Sequence, residues 1–152
     1  MPNDEIQKFS KTLIETTLKQ LEIRYLSDAD GNLIALFNAA TSDPVALVFG
    51  ATGLNSDILH IGLEVYNSID KDLYPRLMEI CNRWNATRRW PKACLAVTGD
   101  QGSVVASMEV PLSSGVHVDL LDELIRHGIS PSLEFSEWVL DEISRIGVEE
   151  LM

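Results

Sequence analysis

The apolar stretches of this chain lie too close together to be joined in any way but antiparallel. Leu33 to Phe37, Pro44 to Phe49 and Ile58 to Val65 follow one another with only short polar connections between them. A parallel connection needs a crossover of about a dozen residues or more, so these runs must fold back on each other. The same holds for Ala93 to Thr98 and Ser103 to Leu112, joined by Gly99-Asp100-Gln101-Gly102. Ile23-Arg24-Tyr25-Leu26 reads as one more strand, paired with Leu33 to Phe37 through the turn Ser27-Asp28-Ala29-Asp30-Gly31-Asn32. Aspartate, asparagine and glycine suit such turns, because they bond locally or accept left-handed backbone.

Between and around these strands the hydrophobic period changes to that of a helix. Ile6, Phe9, Leu13, Ile14 and Leu21 give an opening helix one apolar face, with Asn3 or Asp4 expected to cap it. A second helix is expected from Asp70 and Asp72, with Pro75 in its first turn and Leu77, Ile80, Cys81 and Trp84 facing inward. It should end near Arg88 or Arg89, because Pro91 excludes helical angles from the residue before it. Val116 to Ile125 and Leu133 to Ile146 read as closing helices, interrupted by Gly128 and restarted by Pro131. The expected order is helix, four strands, helix, two strands, helices. That is an α+β fold in which helices flank a mostly antiparallel sheet. With 152 residues and neither internal repeat nor linker, residues 1–152 are expected to form a single domain.

Charge narrows the partners. Twenty-three acidic residues against 12 basic ones give a net charge of −11 and a pI near 4.5. Such a field repels phosphate, so neither nucleic acid nor an anionic membrane surface is an expected partner. The acidic start Met1-Pro2-Asn3-Asp4-Glu5 lacks the basic-then-apolar order of a secretory leader, and the cytoplasm is the expected compartment. Cys81 and Cys94 form no C-x-x-C pair and are expected to be buried thiols.

No motif for catalysis stands out. Asp28 to Asn32 has its glycine at the wrong position for a calcium loop, and Ala39 stands where the twelfth-position glutamate would be. His60, His117 and His127 show no metal-ligand spacing, and Gly50-Ala51-Thr52-Gly53 lacks the lysine of a phosphate loop. No catalytic residue, cofactor or metal is therefore assigned.

The charge is also segregated. From Asp119 onward the chain carries about −7, whereas Arg76 to Lys92 carries about +4. The arginines Arg83, Arg88 and Arg89 are expected to meet acidic surface, either within the chain or across a dimer.

That basic segment holds the most distinctive stretch, with Asn82, Trp84 and Asn85 followed by Trp90, Pro91 and Lys92. An N-x-W-N followed by W-P-K-A resembles the YbjN domain family of bacterial proteins. Arg24-Tyr25 before Asp28-Ala29-Asp30-Gly31, the Leu120 to Ile125 helix, and the Phe135/Trp138 pair are similar to other parts of that family's pattern. The resemblance implies a fold like that of type III secretion chaperones: a twisted antiparallel sheet flanked by helices, often homodimeric. It implies a sensory-transduction regulator or chaperone-like protein and brings no catalytic residue with it. The expected function is a non-catalytic, homodimeric adaptor that binds a protein partner. Alternatives are a small-molecule-sensing regulator or an enzyme using His60 or His117 with a carboxylate. The six motif residues could fix the helix-to-strand corner or form a binding surface, and the sequence leaves both open.

Overall fold

The computed structural model describes residues 5–38, 44–66 and 69–151. In chain order the elements are α1 (Lys11–Gln20), β1 (Leu26–Ser27), β2 (Leu33–Phe37), β3 (Val45–Thr52), β4 (Ile58–Tyr66), α2 (Tyr74–Thr87), β5 (Lys92–Thr98), β6 (Gln101–Pro111) and α3 (Val118–Leu151). A single 3-10 turn over Lys71–Leu73 leads into α2. The strands form one six-stranded sheet in the order β1-β2-β3-β4-β6-β5, antiparallel throughout. The chain leaves β4 through α2, forms β5 at the edge, and returns with β6 between the two. The expected α+β class and its mostly antiparallel sheet are what the structure shows.

Strand alternation decides where the core lies. Leu33 and Ala35, Leu47 and Phe49, Leu59 and Ile61, Ala93, and Val104, Ala106 and Met108 are buried on one face. The helices cover that face: α1 lies against β3, α2 against β5, and α3 against β4, β3 and β6. Ile14 and Leu18 from α1, Leu77, Ile80 and Trp84 from α2, and Leu121, Ile125, Phe135 and Val139 from α3 complete one core.

Three boundaries differ from the sequence reading. Helix α1 starts at Lys11, where Ser10 accepts a hydrogen bond from the Leu13 amide at 3.2 Å. Asn3 and Asp4 lie outside the described residues, and Gln7 instead pairs with Val116 through two backbone bonds of 2.9 Å. Ile23 to Tyr25 is not strand. Glu22 takes φ +60 and the Ile23 amide bonds Leu18 O at 2.9 Å, which closes α1 and leaves only Leu26 and Ser27 to pair with β2.

The closing helices are one helix. α3 runs for 34 residues with Pro131 inside it. Gly128 is buried rather than a break: a Cβ there would stand 2.5 Å from Ile61 Cδ1 and 3.2 Å from Met108 Cε. The missing side chain lets α3 lie close on β4 and β6. The cost of Pro131 is offset by packing, since Leu121, Ile125, Phe135 and Val139 on either side are completely buried.

Candidate functional site

The W-N stretch builds the corner between α2 and β5. Trp84 faces the core with Leu77, Ile80 and Cys81, one helical turn apart. Its ring packs against Phe135 at 5.0 Å and Trp138 at 5.5 Å, both on α3. Its Nε1 donates to Pro91 O at 2.8 Å, so the buried indole has its polar atom satisfied. Asn85 sits one residue on and points at the start of β5. Its Nδ2 donates to Ala93 O and its Oδ1 accepts from Ala93 N, both at 2.9 Å. The side-chain amide therefore answers both backbone groups of Ala93, as a neighbouring strand would. The Trp90–Pro91 peptide is cis at this corner. Asn82, Arg89, Trp90 and Lys92 are exposed around it.

Arginines tie the corner to α3. Arg83 Nη2 lies 2.8 Å from Glu142 Oε2, and Arg88 Nη2 lies 2.8 Å from Glu134 Oε1. Their guanidinium groups also stack over rings, Arg83 over Trp138 and Arg88 over Trp84. Two arginines of the basic segment thus meet the acidic α3 of their own chain.

Among the described residues, no helix covers the opposite face of the sheet. Ile34, Val48, Gly62, Ser107 and Lys92 form one row across β2, β3, β4, β6 and β5. Leu36 and Ala46 form part of the row on one side, and Glu64, Val105 and Cys94 continue it on β4, β6 and β5. Leu36 is 58% exposed, and Leu26 at the neighbouring edge is 78% exposed. On the other side, His60 stands opposite Glu109. His60 Nδ1 lies 3.3 Å from Glu109 Oε1, which also accepts from Ser107 Oγ at 3.2 Å. The imidazole leans over Gly62, whose absent Cβ would stand 2.7 Å from His60 Nε2. The sequence reading named His60 with a carboxylate but could not say which one, because His60 and Glu109 sit on two strands and meet only through the register. They form a histidine–carboxylate pair on an open sheet face, with side chains 28% and 47% exposed.

Cys94 belongs to that face and is exposed, contrary to the expectation that both thiols are buried. The alternation of β5 points it away from the helices. Cys81 is buried, and burial pushes its thiol up to about 11. Among the described residues no group of three or more His, Cys, Asp or Glu side chains is placed to hold a metal ion. No helix among them is long and apolar enough to cross a membrane. A groove of about 660 Å3 runs between α3 and the start of β3, lined by Val45, Leu133 and Leu140 with Glu134, Glu137 and Asp141.

The chain has relatives at the level of family and fold. The YbjN family model, described as "Putative bacterial sensory transduction regulator", matches residues 10–141. No curated protein matches the sequence. Among solved structures, one described as "YbjN, a putative transcription regulator from E. coli" superposes with a TM-score of 0.70 at 12% identity. The match covers 93% of this chain and 96% of that one. The chain belongs to the YbjN family.

Proposed function

We propose that this YbjN-family chain is a regulatory adaptor, which acts by binding a protein rather than by catalysis, and does so as a homodimer in the cytoplasm. The observation that carries the reading is the one-sided sheet. All three long helices cover one face, and the other presents Ile34, Leu36, Val48 and Val105 without a cover among the described residues. Glu64 lies within this strip, between its β3 members and Val105, and Glu109 borders it on the His60 side, on a chain of net charge −11. Its occupant is a polypeptide segment with apolar side chains and basic flanks, matched to the strip by contact and to its border by charge. In this reading the W-N corner is structural. Trp84 and Asn85 hold α2 to β5, and their polar atoms are engaged within the chain.

The test is affinity capture with the full chain and with Val48→Glu, which places a charge in the middle of the strip. A stoichiometric protein held by the native chain and lost by Val48→Glu, with the circular dichroism unchanged, supports the reading. Recovery of the chain alone, or equal capture by both, contradicts it.

The His60–Glu109 pair favours a second reading, an acid/base site. Its members lie within reach of each other, but on a surface open to water, where proton-transfer groups gain little from their surroundings. A sensor of small molecules would use the acidic groove beside α3. Changing His60 to Gln without effect on the regulated output removes the acid/base reading.

A further inference from the structure

Asn85 does more than join a helix to a strand, because the strand it holds is the edge of the sheet. Among the described residues, β5 pairs with β6 on one side and with no strand on the other. Thr98 pairs with Gln101 across the two-residue turn, and the register runs unbroken back to Lys92 and Ser107. In an antiparallel ladder, residues whose amides face the partner alternate with residues whose amides face away. The two bonds from Asn85 to Ala93 identify the outward set, which is Ala93, Leu95 and Val97. Asn85 therefore occupies the place of a seventh strand at Ala93. No hydrogen bond among the described residues reaches the outward amides of Leu95 or Val97, and Val97 is 51% exposed.

An open strand edge is a template for another strand. We propose that the Leu95–Val97 edge pairs with the same edge of a second copy of this chain, antiparallel about a two-fold axis at Ala96. This names the interface of the homodimer read above and rests on that reading. Asn85 fixes the register. With Ala93 already bonded, the ladder is confined to Leu95 opposite Val97 of the second copy and Val97 opposite its Leu95, making four backbone hydrogen bonds. A shift that centres the axis on Leu95 would require Ala93 to release Asn85. Side-chain parity also holds, since residues facing the helices meet residues facing the helices.

Charge supports the same occupant. The entry of β5 is basic, with Arg89 and Lys92 exposed beyond the Arg88–Glu134 pair, whereas its exit is acidic, with Asp100 in the turn and Asp70 and Asp72 close to it in the chain leading to α2. Lys71 reaches Asp100 at 3.4 Å, which ties these acidic residues to the turn. Antiparallel pairing lays the basic entry of each copy along the acidic exit of the other, so the edge is complementary to itself.

The experiment uses the full chain with Thr98→Cys. In the proposed register Cys94 stands directly opposite residue 98 of the second copy, as a pair without hydrogen bonds. The Cα separation of such a pair is about 4.5 Å, within disulfide range. Within one chain the two positions are four residues apart along a strand, about 13 Å, and cannot bridge. Mild oxidation with copper phenanthroline should convert most of the variant to a covalent dimer, and Cys94→Ser in the same background should abolish it. Cross-linking that survives Cys94→Ser overturns the register. Val97→Pro gives an independent measure, since its amide does not bond β6. It should be folded, with unchanged circular dichroism, and monomeric by sedimentation. A dimer that persists in Val97→Pro and leaves Thr98→Cys uncrosslinked overturns this edge but leaves the homodimer standing. A native chain that is monomeric at every concentration and gives no cross-link overturns both, with the capture experiment still deciding the adaptor.

Discussion

Asn85 is the residue on which the corner turns. Changing it to Ala strips the N–H and C=O of Ala93 of their side-chain partner, at a cost of about 1–3 kcal/mol in urea unfolding, from roughly 0.5–1.5 kcal/mol per bond. Unchanged stability would mean that water replaces the amide without loss. The same substitution frees the outward N–H and C=O of Ala93, and the register of any strand pairing at β5 should then slip. The two thiols make a second prediction. Iodoacetamide at pH 8 should label Cys94 rapidly and Cys81 only on unfolding, because Cys81 is buried with its thiol raised to about 11. The thiolate of Cys81 is disfavoured in the folded state, so its contribution to stability is intact below the ordinary value of 9.0. It is lost as the pH rises through about 11. An unfolding midpoint that falls more steeply from pH 8 to 10.5 in the native chain than in Cys81→Ala would show it, and parallel profiles would contradict it. At Asp28 the sign reverses. The Asn32 backbone amide, foremost, holds its carboxyl below the usual value, so acid loosens this turn. The sequence announced Trp84 and Asn85 as unusual, yet it could not say that Asn85 reaches eight residues ahead to Ala93. That bond depends on the angle at which the chain leaves α2.

At the scale of elements, the sequence was most readable where short connections dictated pairing. The β2–β3–β4 meander and the β5–β6 hairpin follow from loop length and turn residues alone. It was least readable where tertiary packing overrides local preference. Gly128 and Pro131 look like a break between helices, but α3 passes through both because its buried face continues on each side. Gly128→Ala separates the two readings. Helix propensity alone would stabilise α3 by about 1 kcal/mol. The approach of the new Cβ to Ile61 at 2.5 Å should outweigh this, with overpacking of about 1–3 kcal/mol and a net loss of stability. A raised melting temperature would show that the helix can ride away from the sheet. The start of α1 was misplaced for a related reason: Phe9 is buried without being helical, because residues before Ser10 pair with Val116 instead.

For the whole molecule, the average charge conceals an arrangement. The basic stretch of α2 and its exit lies against acidic α3 through Arg83–Glu142 and Arg88–Glu134. In the proposed reading a protein partner uses the sheet face without helices, and a second copy the open edge of β5. The face was not legible in the sequence. Its apolar members alternate with the core residues of the same strands, and nothing local says which set the helices will cover. That Glu109 is the carboxylate beside His60 was hidden for the same reason, since only the register of β4 and β6 brings the two together. His60 lies near the middle of that face, whereas His127 lies exposed on α3. The most direct measurement of the adaptor account is therefore carbethoxylation of the histidines, mapped by mass spectrometry, in the free chain and in the complex recovered by capture. The account predicts that His60 becomes protected in the complex while His127 reacts as before. Equal reactivity of His60 in both states would contradict it.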